Sequence, residues 1–183
     1  MSKTTTLKYL IAASTLAIFA TPGIAHAEGF DGPYAGIQGG IEILNSEGST
    51  IAGPFDDSDS QAMVGGVLGL RGSLTNGFVV GAEGDLGFNI DSGDARYGIS
   101  AIAGAQLGES SLLYGRVGYG FRDGLPADTG EGLVLGGGFE TLLSDSLGLR
   151  LDYKHIDLGG IDLTDNTVDY SSHEITAGAI LSF

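Results

Sequence analysis

The sequence predicts an all-β fold, an eight-stranded antiparallel up-and-down transmembrane β-barrel. Three observations carry that reading. Eight stretches, each about ten residues or longer, alternate apolar and polar positions with a period of two. The gaps between them alternate between short and longer, the layout of a barrel with tight turns on one side and loops on the other. Within the polar set of alternate positions, six basic residues meet six acidic ones, the balance a sealed interior needs when buried charges must be paired.

Composition narrows the rest. The 183 residues include 33 Gly, no Cys and no Trp, with 8 Lys+Arg against 23 Asp+Glu for a formal net charge of −15. So acidic a chain lacks the basic patches that a nucleic-acid partner demands. Without cysteine there is no disulfide framework, thiolate metal site or cysteine nucleophile. Phosphate-loop, dinucleotide-fold, zinc-protease and serine-hydrolase signatures are absent, so no cofactor, no metal and no catalytic residue is expected.

Taken in chain order, residues 1–27 read as a cleaved signal peptide. Lys3 and Lys8 precede an apolar run from Tyr9 to Ala20, Pro22 and Gly23 break it, and Ala25-His26-Ala27 supplies a small-residue cleavage site. The run is shorter than the ~20 residues of a spanning helix. Residues 28–183 then form one barrel domain. Its strands are expected at Tyr34–Leu44, Gln61–Gly72, Phe78–Asn89, Arg96–Leu107, Ser111–Arg122, Gly132–Leu142, Leu147–Ile156 and Ser172–Phe183. Pro33, Pro54 and Pro126 fall outside these stretches, as strands bonded on both edges require. Ser73–Gly77, Gly108–Ser110 and Leu143–Ser146 read as short turns; Asn45–Ser60 and Asp157–Ser171 read as long loops.

All six basic residues after position 27 fall on one face: Arg71, Arg96, Arg116, Arg122, Arg150 and Lys154. Glu42, Glu83, Asp85, Glu140, Asp152 and Glu174 share it. The other face is aliphatic and aromatic, with Phe78, Phe88, Tyr97, Tyr119, Phe121, Tyr153 and Phe183 mostly near strand ends, as in the girdles of membrane barrels. Alternation alone does not say which face is inward. A soluble barrel would turn the charges out; charge balance and aromatic placement favour a lumen that holds them.

The last strand makes the choice more specific. Thr176, Gly178, Leu181 and Phe183 resemble the insertion signal of bacterial outer-membrane barrels: polar residue, glycine, hydrophobic residue, terminal aromatic. Gly32-Pro33-Tyr34-Ala35-Gly36 and Leu149-Arg150-Leu151-Asp152-Tyr153-Lys154-His155-Ile156-Asp157-Leu158-Gly159 are similar to the opening and strand-seven patterns of the alphaproteobacterial outer-membrane β-barrel-domain family, whose fold is OmpA-like. The resemblance spans residues 28–183. It implies residence in the bacterial outer membrane after export, contact with outer-membrane lipids and lipopolysaccharide, and handling by the barrel-insertion machinery.

Eight strands leave a lumen just wide enough for their own side chains, so the twelve charges are expected to form a structural network. Three functions stay open: a structural or surface-interaction protein (envelope integrity, adhesion, a surface antigen), a narrow porin-like channel for ions or small solutes, and a lipid-A-modifying hydrolase. The long side carries Glu47, Asp56, Asp57, Asp59, Asp157, Asp162, Asp165 and Asp169 among other acids, offering a host or surface ligand an acidic face. Asp57-Ser58-Asp59 resembles the start of a calcium loop but lacks its sixth-position glycine and closing Glu; solvated loops explain the acids more simply. A symmetric final hairpin makes His155 and His173 neighbours on the lipid face, with Ser171 and Asp157 beside them. The hydrolase pattern His-x-Ser is not present on either strand.

Overall fold

The computed structural model describes residues 29–50, 53–123, 130–163 and 166–183; the expected signal peptide, residues 1–27, lies outside them. Eight antiparallel strands close into a barrel in sequence order. They are β1 (Gly32–Thr50), β2 (Gly53–Ser73), β3 (Phe78–Asn89), β4 (Ala95–Leu107), β5 (Ser111–Arg122), β6 (Glu131–Leu142), β7 (Leu147–Leu163) and β8 (Asn166–Ser182). Closure comes from β1 pairing with β8 from Tyr34↔Ser182 to Ser49↔Thr167. Every strand thereby finds a partner on both sides, which is what a membrane demands of backbone N–H and C=O groups.

The alternation sets the faces. Outward positions form an apolar belt in which Ile37 is 73 % and Ile99 64 % exposed, an arrangement that only a lipid solvent makes favourable. The turns on the short side are tight. Asn76 and Gly77 take positive φ values of 72° and 77°, the conformation for which Asn-Gly is suited.

Two expectations are corrected. The stretches read as long loops are largely strand: β1 and β2 stay paired out to Thr50↔Gly53, and β7 and β8 out to Leu163↔Asn166 across a bulge between Asp157 and Gly160. Beyond the belt, β2, β1, β8 and β7 therefore continue as a four-stranded blade. Second, Pro33 and Pro54 lie inside β1 and β2. Each is the second residue of its strand, where a missing N–H costs the ladder least, and Pro54 stands beyond the reach of β3, whose pairing with β2 begins at Met63↔Asn89. Pro126 lies outside the described residues.

Candidate functional site

Every one of the twelve charged residues on the polar face points into the lumen. Ten are buried, and Asp85 and Arg122 keep side-chain exposures of 9 % and 6 %. The structure divides them into two groups of six, each with three cations and three anions and with no ion pair joining the groups among the described residues.

The inner group, towards the short turns, centres on Glu83, Glu140 and Asp152. Arg71 grips Glu140 with two guanidinium nitrogens at 2.9 Å each, the fork geometry that makes Arg–carboxylate pairs strong. Arg150 donates to Glu140 at 2.8 Å and to Glu83. Arg116 pairs with Glu83 at 2.9 Å and Asp152 at 2.8 Å. Two tyrosines complete the set, Tyr34 donating to Glu83 and Tyr114 to Asp152, both at 2.7 Å. Their rings also lie under the guanidinium groups, with Arg71 4.5 Å from Tyr34 and Arg150 5.3 Å from Tyr114, a cation–π contact. Glycine makes room for these rings: a Cβ at Gly69 would collide with Tyr34, and one at Gly138 would meet the Tyr114 hydroxyl at 2.5 Å.

The outer group joins Arg96 to Glu174, Arg122 to Glu42, and Lys154 to Asp85 at 3.1 Å and Glu174 at 3.3 Å. Asn89 and Ser172 each donate to Glu42 at 2.8 Å. A cavity of about 20 Å³ lies among these side chains, room for a water molecule and little more.

Apolar clusters close both ends. Phe30, fully buried, turns back into the inner mouth against Val79, Ile102, Leu112 and Tyr114, with Arg71 5.0 Å from its ring. At the outer end Val134, Ile156 and Leu158 pack with Leu44 and Tyr170. Sequence reasoning passed over Phe30; its signal was an aromatic between Gly29 and Gly32, whose φ values of +70° and +92° permit the turn that folds it inward.

On the outside, His155 and His173 are directly opposed, and Asp157 opposes Ser171. The hydrogen bond of His173 goes to the Tyr153 hydroxyl at 2.8 Å instead of to Ser171. Further out, Asp56, Glu47 and Asp169 stand in one row across β2, β1 and β8. Among the described residues no three His, Asp or Glu are gathered for a metal ion, and no helix is long and apolar enough to cross a membrane, a statement that leaves strands aside. Of the expected insertion signal, Thr176, Gly178 and Leu181 lie on β8 and Phe183 directly follows its last residue, Ser182; Thr176 is buried, Leu181 is 45 % and Phe183 37 % exposed, and Gly178 pairs with Gln38 and Arg150.

The family described as the outer membrane protein beta-barrel domain matches residues 11–183. The chain belongs to that family. A search among curated proteins finds no significant match. Among solved structures, neisserial surface protein A is similar, with a TM-score of 0.50 at 16 % identity, covering 85 % of this chain and 100 % of its own. The outer membrane protein OprG from Pseudomonas aeruginosa is also similar, with a TM-score of 0.50 at 12 % identity, covering 87 % and 99 %. At such identities the likeness is one of fold. In this outer-membrane barrel the blade and its acidic hairpins stand at one end of the belt and the tight turns at the other.

Proposed function

We propose that this outer-membrane barrel is a non-catalytic structural and surface-interaction protein that works through its external blade. The observation that carries this reading is the lumen: two neutral ionic groups fill it and an apolar cluster closes each end, so little path is left for a solute. The working surface is then the blade, where segments 45–61 and 157–171 hold eight Asp or Glu and no Lys or Arg. Its partners are lipopolysaccharide around the belt and a host or surface ligand at the tip. Against hydrolysis stands the placing of Ser171: among the described residues it makes no hydrogen bond to His173, whose partner is the Tyr153 hydroxyl, whereas an activated serine sits within hydrogen-bond reach of its base.

The deciding experiment is planar-bilayer conductance of the purified barrel, with a boiled/unboiled gel shift to show that it is folded. Silence is the expected result. Discrete steps abolished by Arg116→Ala or Arg150→Ala would overturn the reading in favour of a narrow channel.

Export through a signal peptide at 1–27 and insertion through Thr176, Gly178, Leu181 and Phe183 belong to the same proposal, as does the alphaproteobacterial affinity suggested by the Gly32–Gly36 motif. Phe183→Ala is expected to lower the yield of inserted barrel in cells while leaving the folded protein's urea midpoint nearly unchanged. Equal yields, measured by outer-membrane fractionation, would remove the insertion role.

A further inference from the structure

Two imidazoles stand side by side on the outer surface. His155 of β7 and His173 of β8 are opposed in the register, and their ring centres are 4.7 Å apart. Eight positions separate His155 from Leu147, where β7 begins. At ~3.3 Å per residue and a tilt of ~40°, the pair lies ~20 Å above the inner rim, near the top of an apolar band ~25 Å tall. Below it are Tyr153 and Ile175, and above it Asp157 and Ser171. Both histidines are half-buried, and that height sets them in the outer part of the band, below the headgroups.

We propose that His155 and His173 form a binding site for a divalent transition-metal ion of the copper, zinc or nickel type. The separation of the rings matches that of two ligands on one shared ion. Two imidazoles bound to a single metal through nitrogens at about 2.0–2.1 Å, with an angle of about 90–110° between them, have ring centres ~4.5–5 Å apart. The second observation is the Tyr153 hydroxyl, 2.8 Å from Nδ1 of His173. With Nδ1–H donating to that oxygen, Nε2 keeps its lone pair free for a metal, the same orienting bond that metal-ligating histidines receive from their surroundings. On the other ring, Nδ1 of His155 is buried and has no hydrogen-bond partner among the described residues. The electrostatics agree: Asp157 occupies the next outward position on β7, and the Asp56–Glu47–Asp169 row lies beyond it. All six basic residues of 28–183 lie on the lumen face, leaving the outer surface a field that concentrates cations.

Ligand chemistry selects the ion. Imidazole suits copper, zinc and nickel, with copper(II) bound tightest, whereas calcium and magnesium take oxygen ligands. Two protein ligands give a site weaker than the four-ligand structural sites, with its remaining positions open.

The test uses untagged barrel purified from outer membranes, with the gel shift confirming the fold. It is titrated with Cu²⁺, Zn²⁺ and Ca²⁺ by calorimetry, and the Cu²⁺ complex is examined by electron paramagnetic resonance. The expected result is one Cu²⁺ per barrel coordinated by two nitrogens, competition by Zn²⁺, and no saturable Ca²⁺ binding at these residues. His155→Asn and His173→Asn should each weaken Cu²⁺ binding by more than about tenfold, and Tyr153→Phe by a smaller factor through loss of the orienting bond. Both histidines face outward, so these variants should keep the gel shift. Folded wild-type barrel with no saturable Cu²⁺ binding would overturn the proposal, as would binding that survives both histidine substitutions.

Discussion

Arg150 shows how a single lumen side chain is held. It bridges Glu83 and Glu140 and lies over the rings of Tyr34 and Tyr114. Removing it leaves two buried carboxylates short of a partner, a loss that costs about 3–5 kcal/mol where one member of a buried pair is deleted. Arg150→Ala should accordingly lower the urea midpoint of the folded barrel steeply. An unchanged midpoint would mean that the pairs contribute nothing net. Gly138→Ala should cost about 1–3 kcal/mol by overpacking against Tyr114, and the same denaturation curve checks it. Which residues share a face was legible from parity, and which face is inward from the balance of its charges and the aromatics opposite. Who pairs with whom was mostly not, because apart from Arg150–Glu140 and Lys154–Glu174 the partners sit on strands that are not neighbours: Arg71 of β2 with Glu140 of β6, Arg96 of β4 with Glu174 of β8. Such pairs depend on the tilt and stagger that closure imposes, and a period of two carries no record of either.

At the scale of an element, the blade is where sequence reading fell short. Alternation is visible only where one face of a strand meets lipid. Past Leu44 on β1 and before Gln61 on β2 the strands are mostly polar, and on β7 and β8 the apolar Leu158, Ile161, Leu163, Val168 and Tyr170 are thrown out of step by the bulge between Asp157 and Gly160, so the ladder continues on backbone hydrogen bonds without a sustained period of two. The β7–β8 register, by contrast, was legible: a symmetric hairpin places His155 opposite His173, and it does so in the structure. The blade also carries a built-in tension, since Glu47 faces Asp56 on one side and Asp169 on the other. Directly opposed like charges cost about 0.2–1 kcal/mol per pair. Glu47→Gln should therefore slow amide exchange at Ser46–Gly48, and added salt should do the same to the wild type by screening. Exchange that ignores both would show the carboxylates to be splayed apart in solution.

For the whole molecule, the two ionic groups act as cross-braces between opposite walls, and the apolar ends keep water from competing with them. Phe30→Ala should cost about 3–5 kcal/mol, the usual penalty for emptying a buried phenylalanine site, yet leave the bilayer silent, because the inner ionic group still fills the lumen behind it. Conductance appearing in that variant would locate the seal in Phe30 alone. The barrel itself was legible in the eight alternating stretches and the matched charges; its inner stopper was not, since one aromatic in a turn resembles any other until a cavity is there to receive it.

The seam where β1 meets β8 has a consequence for how the protein is lost as well as how it is made. It joins the sequence-distant ends of the chain along positions Tyr34 to Ser49, so forming it means closing the largest loop the barrel contains, the slowest kind of contact to gain. Once made, it is one of the longer pairings in the ring, running from Tyr34↔Ser182 to Ser49↔Thr167, whereas β6 and β7 pair only from Leu133↔Asp157 to Leu142↔Gly148. Persistence in the envelope then depends on the rate of a rare rupture more than on an equilibrium: the last-made seam is a long one, and a ring that does give way parts more readily along a shorter junction such as β6–β7.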